Sequence, residues 1–305
     1  MKRLDSMHTS LYRGLLIIIV SLSLNSLTTD ALASQKIKVV TTLTLLEDFV
    51  RNVGGERVEV RSLLSGLESE HTYTPKPSDI AAVREAQVLV EVGLGLEVWV
   101  ESLIKNASNK NLTVVTTSRG IPLLRGDEMD THGSGHLGNP HIWLDPERAK
   151  SMIRHITEAL SGIDPEGRSY YLANQAGYFK RIDEMRRDIE KRLQYVKNRK
   201  IITHHPAWPY FSQRFGLQIV DNIQLQAGTE PSARHMADII SKVRKGDIKV
   251  IVSEPQLSPK VPKAIADETG ARIVTLTPIP GGLPGTESYI EMMEYNGSRL
   301  AEALK

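Results

Sequence analysis

Eight short runs of β-branched and aliphatic residues, each separated from the next by an amphipathic stretch, recur between residues 37 and 276. That alternation predicts an α/β fold with parallel sheets. The first four runs cover residues 37–41, 58–62, 88–92 and 112–115; the second four cover 200–203, 217–220, 250–253 and 272–276. Four candidate strands in each half predict two lobes of similar architecture, each a parallel four-stranded sheet flanked by helices. The chain of 305 residues is long enough for two such cores.

The halves are joined by residues 166–199, which contain no proline and two glycines, Gly167 at the start and Gly177 further along. Phe179, Ile182, Met185, Ile189, Leu193 and Val196 fall at spacings of three and four, which is one face of an α-helix. Asp164-Pro165 reads as its start, with aspartate as the N-cap and proline in the first turn. At ~1.5 Å per residue the stretch would make a stiff strut about 50 Å long. Two shorter helices broken near Gly177 are the alternative. The expected organisation is a signal peptide (1–33), an N-terminal lobe (34–164), a long linking helix (165–199) and a C-terminal lobe (200–305).

Lys2, Arg3 and Arg13 accompany an apolar run over residues 14–24, and Ala31-Leu32-Ala33 gives a small-x-small cleavage pattern before Ser34. The run falls short of the roughly 20 apolar residues that span a bilayer. A cleaved export signal and a soluble periplasmic protein are therefore expected. The chain has no cysteine, so neither disulfides nor a lipid-attachment thiol is available. A formal net charge of +2 gives no electrostatic footprint for nucleic acid.

Chemistry concentrates in loops that follow candidate strands, where open α/β sheets bind ligands. His71 follows the second strand, His204 and His205 the fifth, and Glu254 the seventh. His141 precedes Asp145-Pro146-Glu147, which reads as a helix start. Neutral imidazole is the commonest zinc ligand, and a fold can gather such ligands from distant segments. Neighbouring side chains after a strand point to different sides, so one of His204 and His205 is expected at the site. Glu254, followed by Pro255, is read as a cap of the next helix or as a site residue. Glycine-rich residues 127–139 read as a surface loop carrying His132 and His136. His155 and His235 lie on expected helices and receive no role.

Four phrases taken together carry a family resemblance: HTYTPKPSD from His71, NPHIWLDP from Asn139, HPAWPYF from His205 and EPQLSPK from Glu254. They closely resemble the metal-binding solute proteins of zinc/manganese ABC transporters, the group with ZnuA-like and TroA-like members. The likeness runs from about Lys36 to the C-terminal tail. It implies two α/β lobes joined by a long helix, with Zn2+ carried between them as transported ligand and passed to an ABC permease and its ATPase at the inner membrane. It implies a monomer and no enzymatic turnover. His71, His141 and His205 match the family's first three ligands. Manganese-type members tend to have glutamate at the third position and an aspartate as fourth ligand; here Thr277 stands where that aspartate is expected. The fourth position is left to water, Glu70 or another group, with His204 the weaker candidate. Loop 127–139 resembles, in location, the histidine-rich loop of zinc-type members.

Three imidazoles and at most one oxygen favour zinc, whereas manganese prefers more oxygen ligands. The competing readings are a manganese or iron carrier of the same fold, a zinc hydrolase with Glu70 as general base, and an adhesin or metal buffer without a transport partner.

Overall fold

The computed structural model describes residues 36–124, 138–225 and 228–305. The expected export signal and His132 and His136 lie outside the described residues. The first lobe contains β1 (Ile37–Thr41), α1 (Thr44–Gly54), β2 (Val58–Ser62), α2 (Pro77–Glu85), β3 (Val88–Glu91), α3 (Val100–Ala107) and β4 (Thr113–Thr116). Helix α4 (Pro146–Ile163) leads into the long helix α5 (Arg168–Leu193). The second lobe contains β5 (Lys200–Thr203), α6 (Pro209–Phe215), β6 (Gln218–Asn222), α7 (Ala233–Gly246), β7 (Val250–Ser253), α8 (Lys260–Thr269) and β8 (Arg272–Thr275), followed by α9 (Tyr289–Ala303). Among the described residues no helix is long and apolar enough to cross a membrane.

The two sheets have the same strand order, β2-β1-β3-β4 and β6-β5-β7-β8, and all their pairs are parallel. Strand order therefore reverses beside β1 and beside β5, and the loops leaving the carboxyl ends of the strands there border a crevice. All eight expected strands are present, four with the expected bounds and four with ends displaced by one or two residues. β3 stops at Glu91 because the Val92 amide leaves the ladder and donates to the Glu97 carboxylate at 2.8 Å. β6 extends to Asn222, beyond its apolar run, where the Asn222 side chain accepts the Thr203 hydroxyl.

The linking helix is shorter than residues 165–199 predict. Pro165–Gly167 form a 3-10 turn, and the Asp164 carboxylate accepts the Gly167 amide and pairs with Arg57 at 2.7 Å. The α-helix proper has 26 residues, about 39 Å at the usual rise. It runs through exposed Gly177 without a break. At its far end the Leu193 carbonyl is taken by the Arg199 guanidinium at 2.8 Å. Tyr171, Tyr178, Ile182, Met185, Ile189 and Leu193 form the buried face. Tyr178 replaces the expected Phe179, which sits half-buried beneath the Arg154 guanidinium.

Helix α9 lies chiefly along α5, reaching β8 and α1 as well, rather than docking on the second sheet alone. Gly297 makes that approach possible, since a Cβ there would stand 2.8 Å from two Ile189 side-chain carbons. Ile189 is fully buried. Ile189→Ala is expected to lower the unfolding free energy by about 2–5 kcal/mol, read from urea melts of the metal-free protein.

The lobes share an apolar seam. Phe49 packs edge-on against Tyr289 (5.1 Å) and Tyr178 (6.2 Å). The Trp143 indole donates to the Pro278 carbonyl at 2.7 Å, and the Tyr289 hydroxyl donates to the Trp143 carbonyl at 2.8 Å. A smaller core of Ile202, Ile251, Ile239, Val243 and Ile265 fills the other face of the second sheet. This seam holds the two lobes together directly, so α5 is one of several ties between them.

Candidate metal centre

The loop after β2 carries Glu70 and His71, the segment before α4 carries His141, and the loop after β5 carries His205. Each offers one ligand atom to a group in which all four atoms lie within 4.8 Å of one another. The His71 and His205 Nε2 atoms are 3.3 Å apart. His141 Nε2 stands 3.3 Å from Glu70 Oε1, and His71 Nε2 stands 3.8 Å from the same oxygen. His141, His205 and Glu70 are buried, while His71 keeps 18 % of its side chain exposed and forms the open edge of the group.

Hydrogen bonds behind the rings fix their tautomers. Asn139 Oδ1 lies 3.0 Å from the His141 backbone amide, which can only donate, so this oxygen is an acceptor. It also lies 2.9 Å from His141 Nδ1, which must therefore carry a proton and leave a lone pair on Nε2. The Asn139 amide nitrogen donates across the crevice to the Pro206 carbonyl. His205 Nδ1 meets the Glu254 carboxylate at 3.0 Å, which again directs Nε2 into the group. The other Glu254 oxygen accepts the Trp208 indole at 2.9 Å. Such outer partners orient ligating imidazoles and raise their basicity.

The two buried imidazoles differ electrostatically. Burial, reinforced by neighbouring His205, holds His141 well below the ordinary histidine range, so it stays neutral. Burial pulls His205 down too, but the charge and hydrogen bond of Glu254 outweigh it and raise the group above 6.5. Lone pairs on His141 and His205 thus converge with a carboxylate, an arrangement that a cation or a proton at the centre would stabilise.

The other sequence candidates separate from this group. His204 is buried but is not a member of the group, and its Nδ1 has no hydrogen-bond partner among the described residues. Thr277 is occupied locally, its hydroxyl donating to the Ile279 carbonyl at 2.7 Å. Glu254 caps no helix, because Pro259 occupies the N-cap of α8. His155 binds the Thr117 carbonyl and His235 the Asn222 carbonyl. The orienting part of Asn139 is the feature sequence reading missed; an asparagine two residues before a histidine is the one local signal for it.

The sequence matches the family described as "Zinc-uptake complex component A periplasmic" over residues 39–303. The chain belongs to that family. Among curated members, the zinc-binding protein AdcA of Streptococcus pyogenes is 29% identical over 287 residues, covering 88% of this chain and 56% of the relative. The chain thus spans little more than half the length of those relatives. The high-affinity zinc uptake system protein ZnuA of Bacillus subtilis is 27% identical over 280 residues, with 88% of each chain covered. Among solved structures, a crystal structure of ZnuA superposes with a TM-score of 0.79 at 29% identity, covering 89% of this chain and all of the other. The laminin-binding protein of Streptococcus agalactiae, described as having adhesin and metal-transporting activity, gives 0.78 at 28% identity, with 89% and 100% covered. The two-lobed architecture described above is the architecture of this family.

Proposed function

We propose that this protein binds Zn2+ between its lobes through His71, His141, His205 and Glu70 and delivers it to an ABC permease and its ATPase for uptake. The observation that carries the reading is the convergence of three ring nitrogens and one carboxylate oxygen from segments far apart in the sequence. Tetrahedral zinc with bonds of about 2.0–2.1 Å has ligand–ligand edges of about 3.3–3.4 Å. The His71–His205 and His141–Glu70 separations, both 3.3 Å, fit such edges. Glu70 takes the fourth place that Thr277 leaves open, which disfavours a catalytic centre needing a free position for water. Three nitrogens and one oxygen also favour zinc over manganese.

The ion is cargo, so binding is stoichiometric and reversible, with no chemical turnover. An extracytoplasmic location accords with the family's description as periplasmic and with the signal-like N-terminus. Metal analysis of untagged protein, followed by competition among Zn2+, Mn2+ and Fe2+, tests the reading. Zinc should be bound at one equivalent and displace the others; preferential manganese binding would overturn it.

Asn139 gives a second check. Asn139→Ala frees the His141 ring and breaks the link to Pro206. Zinc affinity, measured by chelator competition, should fall by about 10- to 100-fold, with His141 itself intact.

A further inference from the structure

A second carboxylate, Glu97, is buried in the first lobe, two residues before the Trp99 that touches the Glu70 backbone. Glu97 is 7 % exposed, and no lysine or arginine among the described residues pairs with it. Its Oε1 accepts the Thr42 hydroxyl at 2.7 Å and the Val92 amide at 2.8 Å; its Oε2 accepts the Gly93 amide at 3.0 Å. These donors stand at the carboxyl ends of β1 and β3. Between them and Glu97 the backbone makes a tight turn in which Gly93, Leu94 and Gly95 have φ of 84°, 60° and 77°. Positive φ is unfavourable for leucine, so the turn needs an external hold.

Two residues further on, the Trp99 indole donates to the Glu70 carbonyl at 3.0 Å. The Trp99 ring also packs edge-on against Tyr73 at 5.1 Å. Tyr73 is itself fixed by a 2.7 Å bond from its hydroxyl to Asp79. The segment bearing Glu70 and His71 therefore leans on Trp99, and Trp99 is carried by the turn that Glu97 clamps.

We infer that Glu97 is a positioning residue for the metal centre, acting through the turn at residues 93–99 and the Trp99 indole to fix Glu70 beside His71. A carboxylate without a cation is a poor choice for stability alone. Burial, opposed by its three hydrogen bonds and reinforced by nearby Glu91, pushes it up to about 7. Three convergent acceptor contacts are what a carboxylate supplies and an apolar side chain does not. The inference rests on the zinc reading above, and it adds two residues outside the ligand group.

Glu97→Gln, Trp99→Phe and the double variant, made in the full chain, test it. Phenylalanine keeps ring packing and removes the indole donor; glutamine keeps the shape and puts an N–H where an acceptor is required. Zinc affinity should fall by about 10- to 100-fold in each single variant. The double variant should be no weaker than the weaker single, because both changes cut one link. The visible absorption of the Co2+-loaded protein should change in each variant, since the Glu70 ligand shifts; a purely structural role for Glu97 would lower the melting temperature and leave that spectrum alone. If Glu97→Gln does not fold, Thr42→Val removes one of the three donors and should give the same spectral change in milder form.

Unaltered affinity and spectrum in Trp99→Phe, with His141→Ala losing zinc, would overturn the inference and leave the zinc reading standing. Additive losses in the double variant would overturn it as well. A wild-type protein that binds no zinc would overturn both.

Discussion

His141→Ala should weaken zinc binding by roughly 100- to 1,000-fold. A structural zinc site is worth about 10–16 kcal/mol, so one of four ligands carries on the order of 3–4 kcal/mol, or two to three powers of ten. His141 is the ligand whose loss should cost the most. It is 2 % exposed, neutral, and set in one tautomer by Asn139 before any ion arrives. Its ring packs against both of the others, with centroids 5.3 Å from His71 and 4.8 Å from His205. Removing it leaves a polar-walled gap that water can enter, so the metal-free protein should remain folded. Chelator competition on wild type and variant, with melting curves of both metal-free forms, separates lost coordination from lost structure. A variant that binds zinc as the wild type does would refute the ligand set.

Parts of this architecture are legible in the sequence because they follow from local rules. Strand β2 alternates around valines, and β7 is a continuous buried run, so pattern alone places them. The ends of β3 and β6 escape that reading because side-chain hydrogen bonds set them: Glu97, beyond the strand, takes the Val92 amide, and Asn222, at the end of β6, accepts the Thr203 hydroxyl of β5. The long helix is legible from its apolar spacing, yet its limits are not. Asp164 is diverted to Arg57, 107 positions away, and Arg199 takes the Leu193 carbonyl at the other end. Spacing fits Phe179 and Tyr178 equally as buried residues; contacts with Phe49 and Asp48 take Tyr178 inward, and the cations of α4 cover Phe179.

The centre divides in the same way. His71, His141 and His205 stand out because each sits in a distinctive phrase beyond a strand. Glu70 is weaker as a sequence signal, since an acidic residue beside a histidine is common, and its place depends on how the Trp99 indole holds its carbonyl. Glu254 is visible in sequence, but whether it caps a helix or orients a ring depends on the packing of β7 beside β5. Lobe motion is constrained by the seam of Phe49, Trp143 and Tyr289, which crosses between lobes just behind the site. Release of the ion by wide opening would have to break that seam.

Acid offers a release route that leaves the seam intact, and it carries the second large expected effect. Zinc affinity should fall about tenfold per pH unit once pH drops below the His205 pKa. His205 is raised above 6.5: burial lowers it, and Glu254 more than compensates. Below that point its Nε2 holds a proton that zinc must displace, while its Nδ1–H keeps donating to the Glu254 carboxylate. His141 is displaced in the opposite direction, chiefly by burial, and remains neutral over the same range. Between these two imidazoles, one proton rather than two should leave per zinc bound near neutral pH. The metal-free protein follows the same signs. The raised His205 contributes stability that is complete below the unfolded value of about 6.5 and is lost as pH rises through its folded pKa. The depressed His141 withdraws stability as pH falls from about 6.5 toward its folded pKa, because the unfolded chain then binds the extra proton. The rise in melting temperature on adding zinc should therefore be larger near pH 8 than near pH 6. Glu254→Gln should take away the carboxylate that raises His205, so the fall in affinity begins at lower pH even though the ring is held less firmly. Zinc affinity that stays level from neutral pH to about pH 5 in the wild type would show that His205 does not bind the ion.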